Sequence, residues 1–129
     1  MNKYLALDYG ASKIGAAIGD SEIRIASPFS VLKNDKDILA NISKIIKDED
    51  ITTLVVGVPQ GLQNLKSKQY EDAVEFVNKL KDELGIDVVV MDEKMTSKQA
   101  GVLLKGTKHG GVDDDVAAML ILQSYLDAL

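Results

Sequence analysis

The chain has 129 residues, 46% of them hydrophobic and 27% charged, a composition typical of one ordinary globular domain. It has no cysteine and a single histidine, His109, which excludes disulfides, thiolate zinc sites, thiol catalysis and histidine-rich metal sites. No apolar run approaches the roughly 18 residues of a membrane span, and the N-terminus lacks the features of a signal peptide. We therefore expect one cytoplasmic domain over residues 1–129, with no membrane partner.

The formal net charge of −5 argues mildly against nucleic-acid binding, but the charges are segregated along the chain. Eight acids lie between Glu71 and Glu93, whereas residues 58–70 and 94–109 contain lysines and no acid. The acidic net charge is therefore compatible with two basic stretches that could bind a phosphate backbone.

Three short apolar stretches open the chain and predict strands over residues 3–8, about 13–20 and about 23–32. The short links between them, with Gly10 in the first, predict an antiparallel meander. Pro28 cannot donate a ladder hydrogen bond, so it indicates that the third strand lies at an edge of the sheet.

Helices and strands alternate in the rest of the chain. Asn34 or Asp35 is predicted to cap a helix that runs to about residue 47, and Ser67 to cap a second helix that ends at Gly85. Residues 54–58 and 88–91 are continuous apolar runs, which predict strands buried on both faces. A capping-box pattern at Thr96 predicts a third helix, and a mostly buried last helix follows residues 113–115.

This order predicts an α/β fold with a mixed five-stranded sheet of order 3-2-1-4-5 and helices on both faces. The first three strands are antiparallel, and right-handed crossovers add two strands parallel to the first. Strands one, four and five then end at the same edge, where open α/β sheets bind ligands.

Carboxylates from three parts of the chain converge on that edge. Asp8 ends the first strand, Asp92 and Glu93 follow the fifth, and Asp113–Asp115 begins the last helix. Oxygen ligands in this number suit Mg²⁺ or Mn²⁺, and two such ions can clamp both oxygens of an in-line phosphodiester hydrolysis. Each group also has a simpler interpretation: a turn-forming Asp8, solvated loop acids, and aspartates that complement the helix dipole.

Four stretches, taken in order, resemble the motifs of the YqgF/RuvX family of the RNase H-like superfamily. Asp8-Tyr9-Gly10 with residues 13–17 is similar to the opening D-x-G-x-x-R-I-G-x-A, and residues 55–59 to V-V-G-L-P. Residues 92–97 resemble D-E-R-L-T-S, and residues 114–126 the ending D-x-x-A-A-x-x-I-L-Q-S-Y-L. Proteins of this family are described as Holliday junction resolvases or pre-16S rRNA nucleases.

The resemblance implies an RNase H-like fold and a metal-dependent nuclease acting on structured nucleic acid. It implies Asp8, Glu93 and Asp114 as the catalytic acids that hold Mg²⁺ or Mn²⁺, and it selects Asp114 because the Ala117-Ala118 pair sets the register. Processing of the 5′ end of pre-16S rRNA is the expected role, with ribosomal precursor particles as partners. Candidate substrate-binding residues are Lys13, Lys66, Lys68, Lys94, Thr96, Lys98, Lys105 and Lys108, with lysine at 13 and 94 where the family usually has arginine.

Other functions are weighed beside this one. A Holliday junction resolvase would act on branched DNA with the same acids, and a binding module would keep the fold without cleavage. Actin-like ATPases and sugar kinases share an acid-x-Gly opening, but they need two such domains and 129 residues supply one. A lone catalytic base at His109 is a further, weaker alternative.

Overall fold

The structure is a computed structural model, and it describes residues 1–58, 68–92 and 114–129. The strands there are β1 (Lys3–Asp8), β2 (Lys13–Asp20), β3 (Ser27–Lys33), β4 (Thr53–Val58) and β5 (Asp87–Asp92). The helices are α1 (Ile38–Asp48), α2 (Lys68–Leu84) and α3 (Asp114–Asp127). The predicted helix at Thr96 lies outside the described residues. No helix within the described ranges combines the length and apolarity needed to cross a membrane.

The strands form one sheet of order β3-β2-β1-β4-β5, which confirms the predicted topology. β1 pairs antiparallel with β2, and β2 antiparallel with β3. β4 pairs parallel with both β1 and β5. The carboxyl ends of β1, β4 and β5 therefore lie at one edge of the sheet, called the carboxyl edge below.

The third strand begins later than predicted, at Ser27 rather than about residue 23. The Asp20 carboxylate accepts hydrogen bonds from the backbone N–H groups of Glu22 (2.9 Å) and Ile23 (2.7 Å), and Arg24 adopts a left-handed φ of 59°. These bonds extend the turn through residues whose apolar pattern is typical of a strand. The edge position predicted from Pro28 is confirmed.

The first helix begins at Ile38, and the predicted cap at Asn34 or Asp35 is wrong. Asp37 occupies the N-cap position without a side-chain capping hydrogen bond. The Asp35 carboxylate instead accepts a bond from the Asp37 backbone N–H (3.0 Å), and the Asn34 side chain contacts the turn after β1.

The fifth strand is not buried on both faces as predicted. It is the last strand of the sheet, and Val90 is 47% exposed. The β4 run, in contrast, lies between β1 and β5, and Leu54, Val55 and Val56 are fully buried. A run of valines is compatible with either environment, so the pattern alone could not separate a central strand from an edge strand.

Side chains alternate along each strand and so form two cores, one on each face of the sheet. The α1/α2 face packs strand residues against both those helices; it contains Leu5, Leu7, Ile14, Ala16, Leu54, Val56, Val58, Ile38, Ile42, Ala73, Phe76, Val77 and Leu80. The α3 face packs strand residues against α3; it contains Tyr4, Ala6, Ala17, Val55, Ala118, Ile121, Leu122 and Leu126. No residue from Val116 to Leu126 is exposed, which confirms the mostly buried last helix.

Candidate functional site

Asp8 is the last residue of β1, and it is half-buried. Its backbone register places it opposite Gly15 of β2 and Gly57 of β4. Tyr4 and Ala6 belong to the α3-face core, so strand alternation directs Asp8 to the same face. The carboxylate thus comes from a strand that is paired on both sides. Both residues that pair with Asp8 are glycines, so no side chain of a paired residue lies beside the carboxylate.

The turn after Asp8 is held by Asn34, the residue that follows β3. The Asn34 side chain donates from Nδ2 to the Gly10 carbonyl (2.8 Å), and the Asn34 backbone N–H donates to the Ser12 carbonyl (3.0 Å). A Cβ at Gly10 would lie 2.5 Å from the Lys13 carbonyl oxygen, so the turn closes too tightly for a side chain there. Asn34 therefore fixes the segment that follows the candidate catalytic acid, a role that its sequence position did not reveal.

Helix α3 packs directly against Gly57, the residue paired with Asp8. A Cβ at Gly57 would collide with the Ile121 side chain. Nearer its C-terminal end, α3 packs the Tyr125 ring edge-on against Tyr4 at a centroid distance of 5.2 Å. Because Tyr4 lies near the start of β1 and Gly57 near the end of β4, the N-terminus of α3 points towards the carboxyl edge.

This orientation brings the first residue of α3 to the same edge as Asp8. Asp114 precedes Ile121 by seven positions, or about 10 Å along the axis. Residues spaced three, four and seven apart share one side of a helix, so Asp114 lies on the same stripe as the buried Ala118 and Ile121. Asp115 stands in the same relation to the buried Ala118 and Leu122, three and seven positions further on. The helix register therefore does not separate Asp114 from Asp115, and the choice of Asp114 stays a prediction from the family resemblance.

The third predicted acid follows β5. Val58 pairs with Asp92, one position beyond the level of Asp8, and Glu93 is the next residue along the chain. Glu93 itself lies outside the described residues. Among the described residues there is no group of three acidic or histidine side chains that could hold a metal ion.

Some of the predicted substrate-binding residues are among the described residues and the others are not. Lys13 is exposed at the start of β2, on the sheet, and Lys68 is exposed at the start of α2, where it pairs with Asp72 at 3.4 Å. The other predicted substrate-binding residues fall in parts of the chain that are not described: Lys66, Lys94, Thr96, Lys98, Lys105 and Lys108.

A cavity of about 280 Å³ lies beside Tyr9, on the α1/α2 side of the sheet. Its floor includes the paired rings of Tyr9 and Phe76, whose centroids are 5.1 Å apart. Three acids, Asp35, Asp72 and Glu75, and two lysines also line it. The cavity opens on the face opposite to Asp8, so we do not assign it to the candidate site.

Comparison with known proteins agrees with the family resemblance. A family model described as "RuvX: Holliday junction resolvase" matches residues 2–128. The chain belongs to the RuvX family.

Full-length relatives support this assignment. A protein of Endomicrobium trichonymphae is 36% identical and covers 98% of this chain and 96% of its own length. A protein of Fusobacterium nucleatum subsp. nucleatum is also 36% identical, over 98% of each chain. Both carry the name "Putative pre-16S rRNA nuclease". The predicted class, a nuclease for structured nucleic acid, agrees with these names and with the family description.

Solved structures share the fold. The structure titled "T. thermophilus RuvC in complex with Holliday junction substrate" superposes with a TM-score of 0.62, covering 99% of this chain and 95% of that one at 16% identity. The fowlpox virus resolvase bound to junction DNA gives a TM-score of 0.58 over 98% and 97%, at 13% identity. At these identities the likeness concerns the fold alone, and it confirms the RNase H-like α/β architecture.

Proposed function

We propose that this protein is a metal-dependent nuclease that hydrolyses phosphodiester bonds in structured nucleic acid, with the 5′ end of pre-16S rRNA as its substrate. One observation carries the proposal: Asp8 is held in a doubly paired strand at the carboxyl edge, where α3 begins at Asp114. A carboxylate on a rigid strand, at the edge of the sheet where a buried helix begins, is a suitable first ligand for a hard cation.

Asp8, Glu93 and Asp114 are the residues that would hold Mg²⁺ or Mn²⁺. Their donor chemistry fits, because all three supply carboxylate oxygens and the chain has no cysteine. When bound, such an ion supplies positive charge that stabilises the attacking and leaving oxygens of an in-line displacement. The strand ladders around Asp8 and the Asn34 contact to Gly10 hold the first carboxylate in place for that role.

Pre-16S rRNA is the preferred substrate because the full-length relatives carry that name. Nucleic acid is then the partner, and precursor ribosomal particles would present it in the cytoplasm. The predicted lysines would bind backbone phosphates without reading sequence. Four-way DNA junctions are the second candidate substrate, favoured by the description of the family model.

A cleavage assay separates these possibilities. Pre-16S leader RNA and four-way junctions are incubated with the wild type in Mg²⁺, in Mn²⁺ and in EDTA, and beside the variants Asp8→Asn, Glu93→Gln and Asp114→Asn. We expect metal-dependent cleavage of the leader RNA, which each substitution lowers by at least about 100-fold. Cleavage in EDTA, or cleavage that survives both Asp8→Asn and Glu93→Gln, contradicts the mechanism. Binding without cleavage by the wild type indicates a binding module.

A further inference from the structure

We propose that Lys13 and Lys33 together bind a backbone phosphate of the substrate strand, beside Asp8 on the α3 face. The proposal deepens the proposed function and rests on it. Lys33 has no role in any sequence pattern described above, and the sheet register alone brings it next to Lys13.

The two lysines are direct cross-strand partners. Lys13 opens β2, Lys33 ends β3, and the antiparallel register pairs them. Paired residues in a sheet project from the same face. Along β2, Lys13 alternates in step with Gly15 and with Ala17, which belongs to the α3-face core. Both lysines therefore project from the face that carries Asp8.

The pair is also close to the candidate catalytic acid. Asp8 pairs with Gly15, and Lys13 lies two residues further along β2 towards the carboxyl edge. From strand geometry, the Cα atoms of Asp8 and Lys13 are about 8 Å apart, and Lys33 is one further strand spacing, about 5 Å, away. An extended lysine side chain can therefore meet a phosphate that neighbours the one at Asp8.

Placing these two charges opposite each other costs stability. Like charges at directly opposed positions of a sheet are destabilising. Both side chains are exposed, and within the described ranges neither is ion-paired, the two pairs there being Lys68–Asp72 and Lys79–Glu75. A bound phosphate supplies the negative charge that this pair lacks and relieves the repulsion. A phosphate that contacts both ammonium groups is therefore attracted by two positive charges.

Charge-neutral variants test the pair in the full chain. Lys13→Gln, Lys33→Gln and the double variant are made in an Asp8→Asn background, so that the nucleic acid is not cleaved during the measurement. Dissociation constants for a leader RNA hairpin and a four-way junction are measured across a salt series, and melting temperatures without nucleic acid. Lys44→Gln is the matched control, because Lys44 is exposed on α1, which covers the opposite face.

We expect each single substitution to raise Kd several-fold and to reduce the salt slope by less than about 1, and the double variant to reduce it by about 1, because the pair holds one phosphate. Without nucleic acid, Lys33→Gln keeps or raises the melting temperature, because it removes the cross-strand repulsion. Lys44→Gln leaves the slope unchanged.

Two results overturn the proposal separately from the proposed function. A Lys33→Gln protein that binds with the parental Kd and salt slope removes Lys33 from the site while binding itself stands. Equal losses in Lys33→Gln and Lys44→Gln show that net charge, rather than this pair, sets affinity. If the parent binds neither nucleic acid, the proposed function fails and the lysine pair fails with it.

Discussion

The two faces of the sheet are built from different side chains. On the α1/α2 face the strands contribute mainly large residues, such as Leu5, Leu7 and Ile14, and the helices add Ile42 and others. On the α3 face several strand positions carry small residues; these are Ala6, Ala17, Gly19 and Gly57. The α3 face also carries the charged residues of the carboxyl edge.

This difference suggests that the α1/α2 face mainly determines the stability of the fold and that the α3 face mainly positions the candidate site. Among the described residues, more large apolar side chains are buried on the α1/α2 face than on the α3 face, so we expect the larger share of the hydrophobic stabilisation there. Small residues on the other face let α3 approach closely, so that its first residue reaches the edge where Asp8 ends β1. We expect substitutions on the first face to lower stability and those on the second to disturb the site.

The largest effect on stability is expected for Ile42→Ala. Ile42 is fully buried on the α1/α2 face, and truncation of such a side chain costs about 2–5 kcal/mol. Urea unfolding measures the loss. Below the unfolding transition the folded variant should cleave leader RNA at the wild-type rate; a large drop in that rate would show that this face also shapes the site.

Gly57→Ala tests the α3 face. The new Cβ would collide with the buried Ile121, and overpacking of this kind costs about 1–3 kcal/mol. Because Ile121 shares its helix stripe with Asp114, we also expect weaker Mn²⁺ binding in the folded variant. Adding Ile121→Val removes the terminal methyl group of residue 121, which is the atom nearest to the new Cβ. The double variant should therefore recover part of the lost stability and part of the lost Mn²⁺ affinity. A double variant as poor as the sum of the single variants contradicts the contact.

Asn34→Ala should cost about 1 kcal/mol through loss of the hydrogen bond to Gly10. It should also lower the cleavage rate, because the turn after Asp8 loosens. Asp35→Ala is the control: it loses a comparable local bond, to the Asp37 N–H, without touching that turn. Equal rates in the two variants would show that Asn34 acts on stability alone.

The smallest effect is expected at alkaline pH. Burial, and secondarily the neighbouring Tyr4, raises the pKa of Tyr125 above its ordinary value of 10.0. The folded protein therefore holds this proton after the unfolded chain releases it, so the stability contribution is complete below pH 10 and is lost as pH rises above it. The free energy of unfolding should fall less steeply above pH 10 in Tyr125→Phe. Parallel curves for both proteins would contradict the shifted pKa.

Much of this fold could be predicted because local patterns agree with the topology. Apolar runs of strand length, helical periodicity and right-handed crossovers suffice for the strand order and for Asp8 at the carboxyl edge. The start of β3 was missed because hydrogen bonds donated by the backbone N–H groups of Glu22 and Ile23 to the Asp20 carboxylate extend the turn. The exposure of Val90 was missed because a valine run does not distinguish an edge strand from a central one.

The site itself depends on contacts between distant parts of the chain. Asn34 contacts Gly10 across 24 positions, and Gly57 meets Ile121 on a helix at the other end of the chain. The phosphate-binding role proposed for Lys33 depends on its pairing with Lys13 in the sheet. No local motif encodes these pairings. Glu93 and the lysines that follow it fall outside the described ranges, so their roles stay predictions.

Mn²⁺ titration tests the central claim most directly, since it reports on the three carboxylates without depending on the substrate. Binding is measured by calorimetry for the wild type, Asp8→Asn, Glu93→Gln and Asp114→Asn, with Asp113→Asn and Asp115→Asn as neighbouring controls. We predict that each of the first three substitutions weakens Mn²⁺ binding at least about tenfold, and that the two controls leave it unchanged. Unaltered binding by Asp8→Asn, or equal losses at Asp113 and Asp114, would contradict a site formed by Asp8, Glu93 and Asp114.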